Sequence, residues 1–156
     1  SGRLPEGEVS GHPVDNAFQQ WAIDQVNSLP GFSAEHEIGV RGYRIDIGVK
    51  HEDFGSWIMA VETDGATYHS SRAARDRDLL RQEILEGYGW VFHRIWSTDW
   101  FKNPVEVRER LKSSLTDRVE QLKQELENKN AHRSLDESVD DDTDSKSSAE
   151  SIEQPM

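Results

Sequence analysis

Two apolar runs split by a short polar stretch narrow the fold more than anything else in this chain. They read Tyr43-Arg44-Ile45-Asp46-Ile47-Gly48-Val49 and Trp57-Ile58-Met59-Ala60-Val61-Glu62-Thr63-Asp64-Gly65. Their length and β-branched content predict strands, and His51–Ser56 between them predicts the reversal of a hairpin. Alternate side chains of a strand share a face. Tyr43, Ile45, Ile47 and Val49 are therefore expected on one side and Asp46 on the other, while Glu62 and Asp64 share a side. A register setting Asp46 opposite Glu62 brings their Cβ atoms to roughly 5 Å. Two carboxylates that close repel unless a proton or a cation lies between them. The pair is thus a candidate metal site, and hard oxygen donors suit magnesium or a similar ion.

The rest of the chain reads as elements around these strands. Pro13 and Asp15 open a helix carrying Phe18, Trp21, Ala22, Val26 and Leu29 at helical spacing until Pro30-Gly31 ends it. Glu35–Val40 reads as a strand and Arg41-Gly42 as the turn into the Asp46 strand. A second helix is expected over 72–86, its buried stripe Ala73, Leu80, Ile84 and Leu85, with Gly87 as its stop. Trp90–Trp96 reads as another strand, in which His93 is structural. Asn103-Pro104-Val105-Glu106 opens a last helix, with Asn as cap and Pro at the first position. That helix carries Val107, Leu111, Leu115, Val119, Leu122 and Leu126, and it exceeds what a small domain needs. The order helix, three strands, helix, strand, helix predicts a mixed α/β fold with helices covering a central sheet.

Composition bounds the remainder. Of 156 residues, 34% are hydrophobic and 31% charged, so part of the chain is expected not to pack. Residues 134–156 hold eight acids against one lysine, which is −7 of the net −12. Such a segment cannot bury enough surface to offset its ordering entropy. The expected organisation is a linker or expression remnant at 1–12, one folded domain at 13–130 whose last helix protrudes, and an acidic disordered tail at 131–156. With −5 left on the remainder, any basic surface must be local. Arg72, Arg75, Arg77 and Arg81 form one candidate, against Asp76 and Asp78; an ordinary solvated helix face with internal ion pairs is the other reading. The absence of cysteine excludes disulfides, Cys-ligated zinc and thiol catalysis, and fits a cytoplasmic protein. No run reaches the length of a membrane span.

Several motifs together resemble a known group. They are Arg44-Ile45-Asp46; Val61-Glu62-Thr63-Asp64-Gly65 followed by Tyr68-His69; Ala74-Arg75-Asp76-Arg77-Asp78-Leu79-Leu80-Arg81-Gln82; and Gly89-Trp90-Val91-Phe92-His93-Arg94-Ile95-Trp96-Ser97-Thr98-Asp99-Trp100. In this order they resemble the very-short-patch-repair-type branch of the PD-(D/E)XK nuclease superfamily. The resemblance is closer to the endonuclease-like domain at the C-terminus of some large bacterial superfamily 1 helicase-like proteins, and covers about residues 14–112. It implies a restriction-endonuclease-like mixed sheet of about four strands flanked by helices. It further implies Mg²⁺-dependent hydrolysis of DNA phosphodiesters, with Mn²⁺ as a substitute, and fused helicase-like domains.

Residue by residue, Asp46 matches the family's first metal-binding aspartate, and Glu62 occupies the acidic position of the wider superfamily. Thr63, Gly65 and His69 match a Thr-(His)-Gly-x-x-x-His run of the mismatch-repair endonucleases. There the threonine backbone helps hold the metal and the second histidine takes part in acid/base chemistry, suited by an unperturbed pKa of about 6.5. Asp64 departs from the pattern, standing where the superfamily has its lysine. A carboxylate cannot donate charge to a phosphate, but it can join Asp46, Glu62 and Thr63 around a metal. Gln19 stands near where related domains carry Glu. The expected catalytic set is Asp46, Glu62, Asp64 and His69, with Arg72, Arg75, Arg77 and Arg81 holding DNA phosphates. Two other readings stay open: a degenerate nuclease fold that binds DNA without cutting it, and a protein-interaction module using the last helix and the acidic tail. Trp90, Trp96, Trp100 and Phe101 are expected in core and edge packing rather than on bases.

Overall fold

A computed structural model describes residues 13–64 and 71–147, with side chains described over 17–64 and 71–137. His69 and Gly65 lie outside the described residues. The elements are α1 (Pro13–Asn27), β1 (Phe32–Val40), β2 (Tyr43–His51), β3 (Trp57–Asp64), α2 (Arg72–Gly87), β4 (Phe92–Trp96), α3 (Ser97–Lys102) and α4 (Pro104–Ser147). The four strands form one mixed sheet in the order β1-β2-β3-β4. β1 to β3 are antiparallel neighbours and β4 lies parallel to β3, reached through α2. This is the helix-flanked α/β architecture that the sequence predicts.

Local chemistry explains the main turns. Val40 pairs with Tyr43, which leaves Arg41 and Gly42 as a two-residue hairpin loop. Both have positive φ, 51° and 82°, the conformation that matches the right-handed twist of flanking strands. Arg41 adopts it although it is not glycine, and its guanidinium lies 3.5 Å over the Tyr88 ring. In β2, Gly48 answers a different need. A Cβ there would come within 2.0 Å of Ile38 Cδ1 and 2.9 Å of the Trp57 ring.

Besides a register shift between Val49 and Lys50, alternation fails at the Asp46 end of β2. Ile45 packs with Ala60 and Leu85, and Ile38, Val40, Tyr43, Trp90 and Phe92 close around them. Ala60 is paired with Gly48, so Ile45 and Tyr43 have left the side of Ile47 and Val49 on which alternation puts them. The break coincides with Glu37, opposite this stretch on β1, whose φ is +52°, and with the end of the β2–β3 ladder at Ile47↔Val61. The backbone is therefore twisted where Asp46 sits. On the helices, Phe18, Ala22 and Val26 of α1 and Val107, Leu111 and Leu115 of α4 are buried. Trp100 of α3 stacks on Phe18 at 4.8 Å, whereas Phe101 and Trp96 are exposed.

Three expectations need correction. The buried stripe of α2 is not Ala73, Leu80, Ile84 and Leu85: Leu85 alone is buried, and Leu80 is 55% exposed. The inward face instead runs Asp78, Arg81, Gln82, Leu85, at the i, i+3, i+4, i+7 spacing of one helix side. Its first turns carry charge rather than hydrocarbon. The short helix α3 was not anticipated, because Ser97-Thr98-Asp99 after an apolar strand reads equally as a loop. The third correction is the extent of α4. Asn103 caps it, with its Oδ1 accepting from Glu106 N at 3.1 Å, and the helix continues to Ser147. It thus passes the expected boundary at residue 130. Once a capped and packed first half exists, each further residue extends a helix at little cost. Residues 148–156 lie outside the described part. The chain divides into two compact units, Ser1–Arg118 and Val119–Met156.

Candidate active site

The charged pocket stands where β3 and β4 end side by side. Glu62 pairs in register with Arg94 and Asp64 with Trp96, so the parallel strands set an arginine beside two acids. Asp46 reaches the same place from β2. In the β2–β3 register the next pair after Ile47↔Val61 is Asp46 with Glu62, as the sequence anticipates. The ladder stops there because a side chain takes over. Asp46 Oδ2 accepts from the Thr63 backbone N–H at 3.0 Å and lies 3.4 Å from Thr63 Oγ1. That bond holds the Asp46 carboxyl against β3 and beside Glu62.

α2 closes the pocket, opened by Ser71 accepting from Ala74 N at 3.2 Å. Its inward Arg81 pairs with the buried Glu62. The same guanidinium donates to the Arg44 carbonyl through Nη2 at 2.6 Å and Nε at 3.2 Å, and to Asp78 Oδ1 at 3.1 Å. Arg94 pairs with Asp64 through Nη1. Its Nη2 donates to Gln82 Oε1 at 3.0 Å and to Asp78 Oδ2 at 3.3 Å. Asp78 therefore bridges the two arginines. Four carboxyls (Asp46, Glu62, Asp64 and Asp78) and two guanidiniums share one site.

The electrostatics follow from that crowding. Burial, then the charge of Asp46 and a hydrogen bond with it, push the Glu62 carboxyl up to about 8, against the pull of Arg81. Burial also raises Asp64, opposed by Arg94. A carboxyl held protonated near neutrality beside another carboxyl is the signature of a site short of positive charge. Asp46 and Glu62 offer the hard oxygen donors magnesium takes, an ion commonly held by one or two carboxylates with water completing its shell. Among the described residues no group of three or more His, Asp or Glu is arranged around one point. The donor pair fits magnesium; a larger protein cage is not present among those residues.

A family model of the restriction-endonuclease-like group REase_MTES_1575 matches residues 18–115. The chain belongs to that family. The match spans the sheet, α2 and every group of the charged pocket. No curated protein and no solved structure matches the chain.

In this restriction-endonuclease-like domain the structure brings Asp46, Glu62, Thr63 and Asp64 together. Of the four helix arginines, Arg81 turns into the pocket, while Arg72, Arg75 and Arg77 are exposed on α2. Gln19 lies elsewhere, its Oε1 2.6 Å from His36 Nε2. Sequence reasoning missed Asp78, Gln82 and Arg94 as site residues. The signal was present as Asp78-x-x-Arg81-Gln82-x-x-Leu85, a helical stripe that reads as polar surface until a charged strand lies beneath it. His93 is half-buried, and burial lowers its pKa. Among the described residues no helix is long and apolar enough to cross a membrane.

Proposed function

We propose that this domain is a metal-dependent DNA endonuclease that hydrolyses phosphodiester bonds, working as a module of a larger DNA-processing or defence protein with helicase-like domains. The observation that carries the reading is the adjoining Asp46 and Glu62 carboxyls, one of them buried and held near neutrality in its protonated form. Magnesium bound there, or manganese in its place, supplies a Lewis acid for the phosphate and an acidified water. The chain's own groups do the rest. The Thr63 N–H holds the Asp46 carboxyl beside Glu62, where the pair would hold the ion. Arg72, Arg75 and Arg77, exposed along α2, offer cations to backbone phosphates. His69 keeps the acid/base role that the family resemblance gives it, and the helicase context rests on the same resemblance.

The test incubates the protein with duplex, single-stranded and mismatched DNA in Mg²⁺ or Mn²⁺. Cleavage is expected, abolished by EDTA and by Asp46→Ala. DNA left intact across all three substrates at high protein and Mn²⁺ overturns the proposal. One observation favours a second reading, a DNA-binding domain that does not cut: Asp64 stands in the lysine position, and the Glu62 and Asp64 carboxyls already have Arg81 and Arg94 as partners. Salt-dependent binding without cleavage would support it.

A further inference from the structure

Resting on the endonuclease reading, we propose that Arg94 is the fixed positive charge at the reacting phosphate, and that Asp64, Asp78 and Gln82 are its positioning residues rather than parts of a metal shell. Four carboxyls crowd this pocket, so a phosphate entering it meets repulsion unless a fixed cation beside the metal position offsets them. β4 returns that cation from the neighbouring strand. Arg94 is in register with Glu62, on the side of the sheet that carries the acids.

Its surroundings set it rather than bury it. A guanidinium has five N–H groups. Three are engaged, by Asp64, Asp78 and Gln82. Among the described residues the other two have no acceptor, and the side chain is 23% exposed. Three acceptors on two elements, β3 and α2, fix the plane of the group. The two remaining donors, Nε–H and one on Nη1, lie on different edges of the group, so each is left for a single charge-assisted contact with an oxyanion. Arg81 cannot serve in the same way, because Glu62, Asp78 and the Arg44 carbonyl take up its donors, at 17% exposure. Asp64 is likewise committed. Its carboxylate faces Arg94, whereas Asp46 faces Glu62 and Thr63.

In the reaction, water forms the new P–O bond and releases a proton, the ester P–O bond to one sugar breaks, and the leaving oxygen takes up a proton; the acid/base group of the proposed function or solvent carries both. Arg94 transfers no proton. It stays charged and binds the negative charge that grows on the non-bridging oxygens, a contact stronger in the transition state than before it.

The experiment compares wild type with Arg94→Gln, Arg94→Lys, Arg94→Ala, Asp64→Asn and Asp46→Asn. Arg94→Gln should lower kcat by about 10²-fold or more, a much larger factor than the accompanying rise in KM. Arg94→Lys should recover part of it, and added guanidinium ion should revive Arg94→Ala. Asp64→Asn should lower kcat while leaving Mn²⁺ affinity, titrated without DNA, at the wild-type value; Asp46→Asn should weaken it sharply. Wild-type turnover in Arg94→Gln, or loss of Mn²⁺ binding in Asp64→Asn matching that in Asp46→Asn, overturns the inference. Should wild type fail to cut at all, the endonuclease reading falls, and two turnover-free readouts still judge this one. They are the Mn²⁺ titrations and DNA binding in Ca²⁺, where Arg94→Gln should reduce the slope of log K against log salt by about 1. An unchanged slope overturns it.

Discussion

Glu62 is where acidity and stability meet. Its carboxyl is only 4% exposed, and burial together with Asp46 keeps its proton up to about 8 rather than 4.5. The folded chain therefore binds this proton across a pH range in which the unfolded chain has lost it. Stability falls with rising pH wherever the unfolded state binds fewer protons than the folded one, and is level where the two bind equally many. The contribution is intact below about 4.5, falls as pH rises from there, and is fully lost above about 8. Asp64, also raised by burial, adds to the same trend. In EDTA, Tm should drop between pH 5 and pH 9, and Glu62→Gln should flatten that drop. A profile identical in the variant would show that Glu62 titrates normally. Magnesium, if it binds as proposed, should raise Tm more at the alkaline end, because there it replaces the missing proton.

Among the strands, β2 has the least room for change. An added Cβ at Gly48 would lie 2.0 Å from Ile38 Cδ1 and 2.9 Å from the Trp57 ring, so both side chains would have to shift. Gly48→Ala should cost about 1–3 kcal/mol in urea unfolding; a wild-type midpoint would mean that β1 yields freely. Much of this architecture was legible in the chain. Alternation marked β2, an unbroken apolar run marked β3, the Asn103-Pro104 cap marked α4, and the Asp46–Glu62 juxtaposition followed from the hairpin. What stayed hidden was where polarity faces inward. Asp78, Arg81 and Gln82 occupy a stripe that an apolar rule gives to solvent, because the rule prices each charge alone and not against a partner on another element. The side switch of Ile45 was equally invisible, since it coincides with a positive φ at Glu37 that glutamate does not advertise. The reach of α4 to Ser147 follows from propagation out of a packed half, not from the residues being extended.

Taken whole, the chain is an acidic protein proposed to bind a polyanion, and where its charge lies decides how well. Residues 134–156 carry −7 of the −12, while three arginines of α2 stand exposed. Long-range repulsion from the tail lowers the local concentration of DNA. Cutting the chain after Arg133 should therefore tighten DNA binding at low salt, with the gain fading as the Debye length shrinks below about 10 Å. Equal affinities with and without these residues would remove the tail from the account. The connectivity of the pocket has another outcome. Arg81 joins Glu62 of β3 to the Arg44 carbonyl of β2, from a helix that comes later in the sequence than either. A nascent chain that has emerged only as far as β3 holds the acids without their clasp. Assembly of the cleft waits for α2 to dock, so ribosome-bound fragments that end at β3 carry no finished pocket.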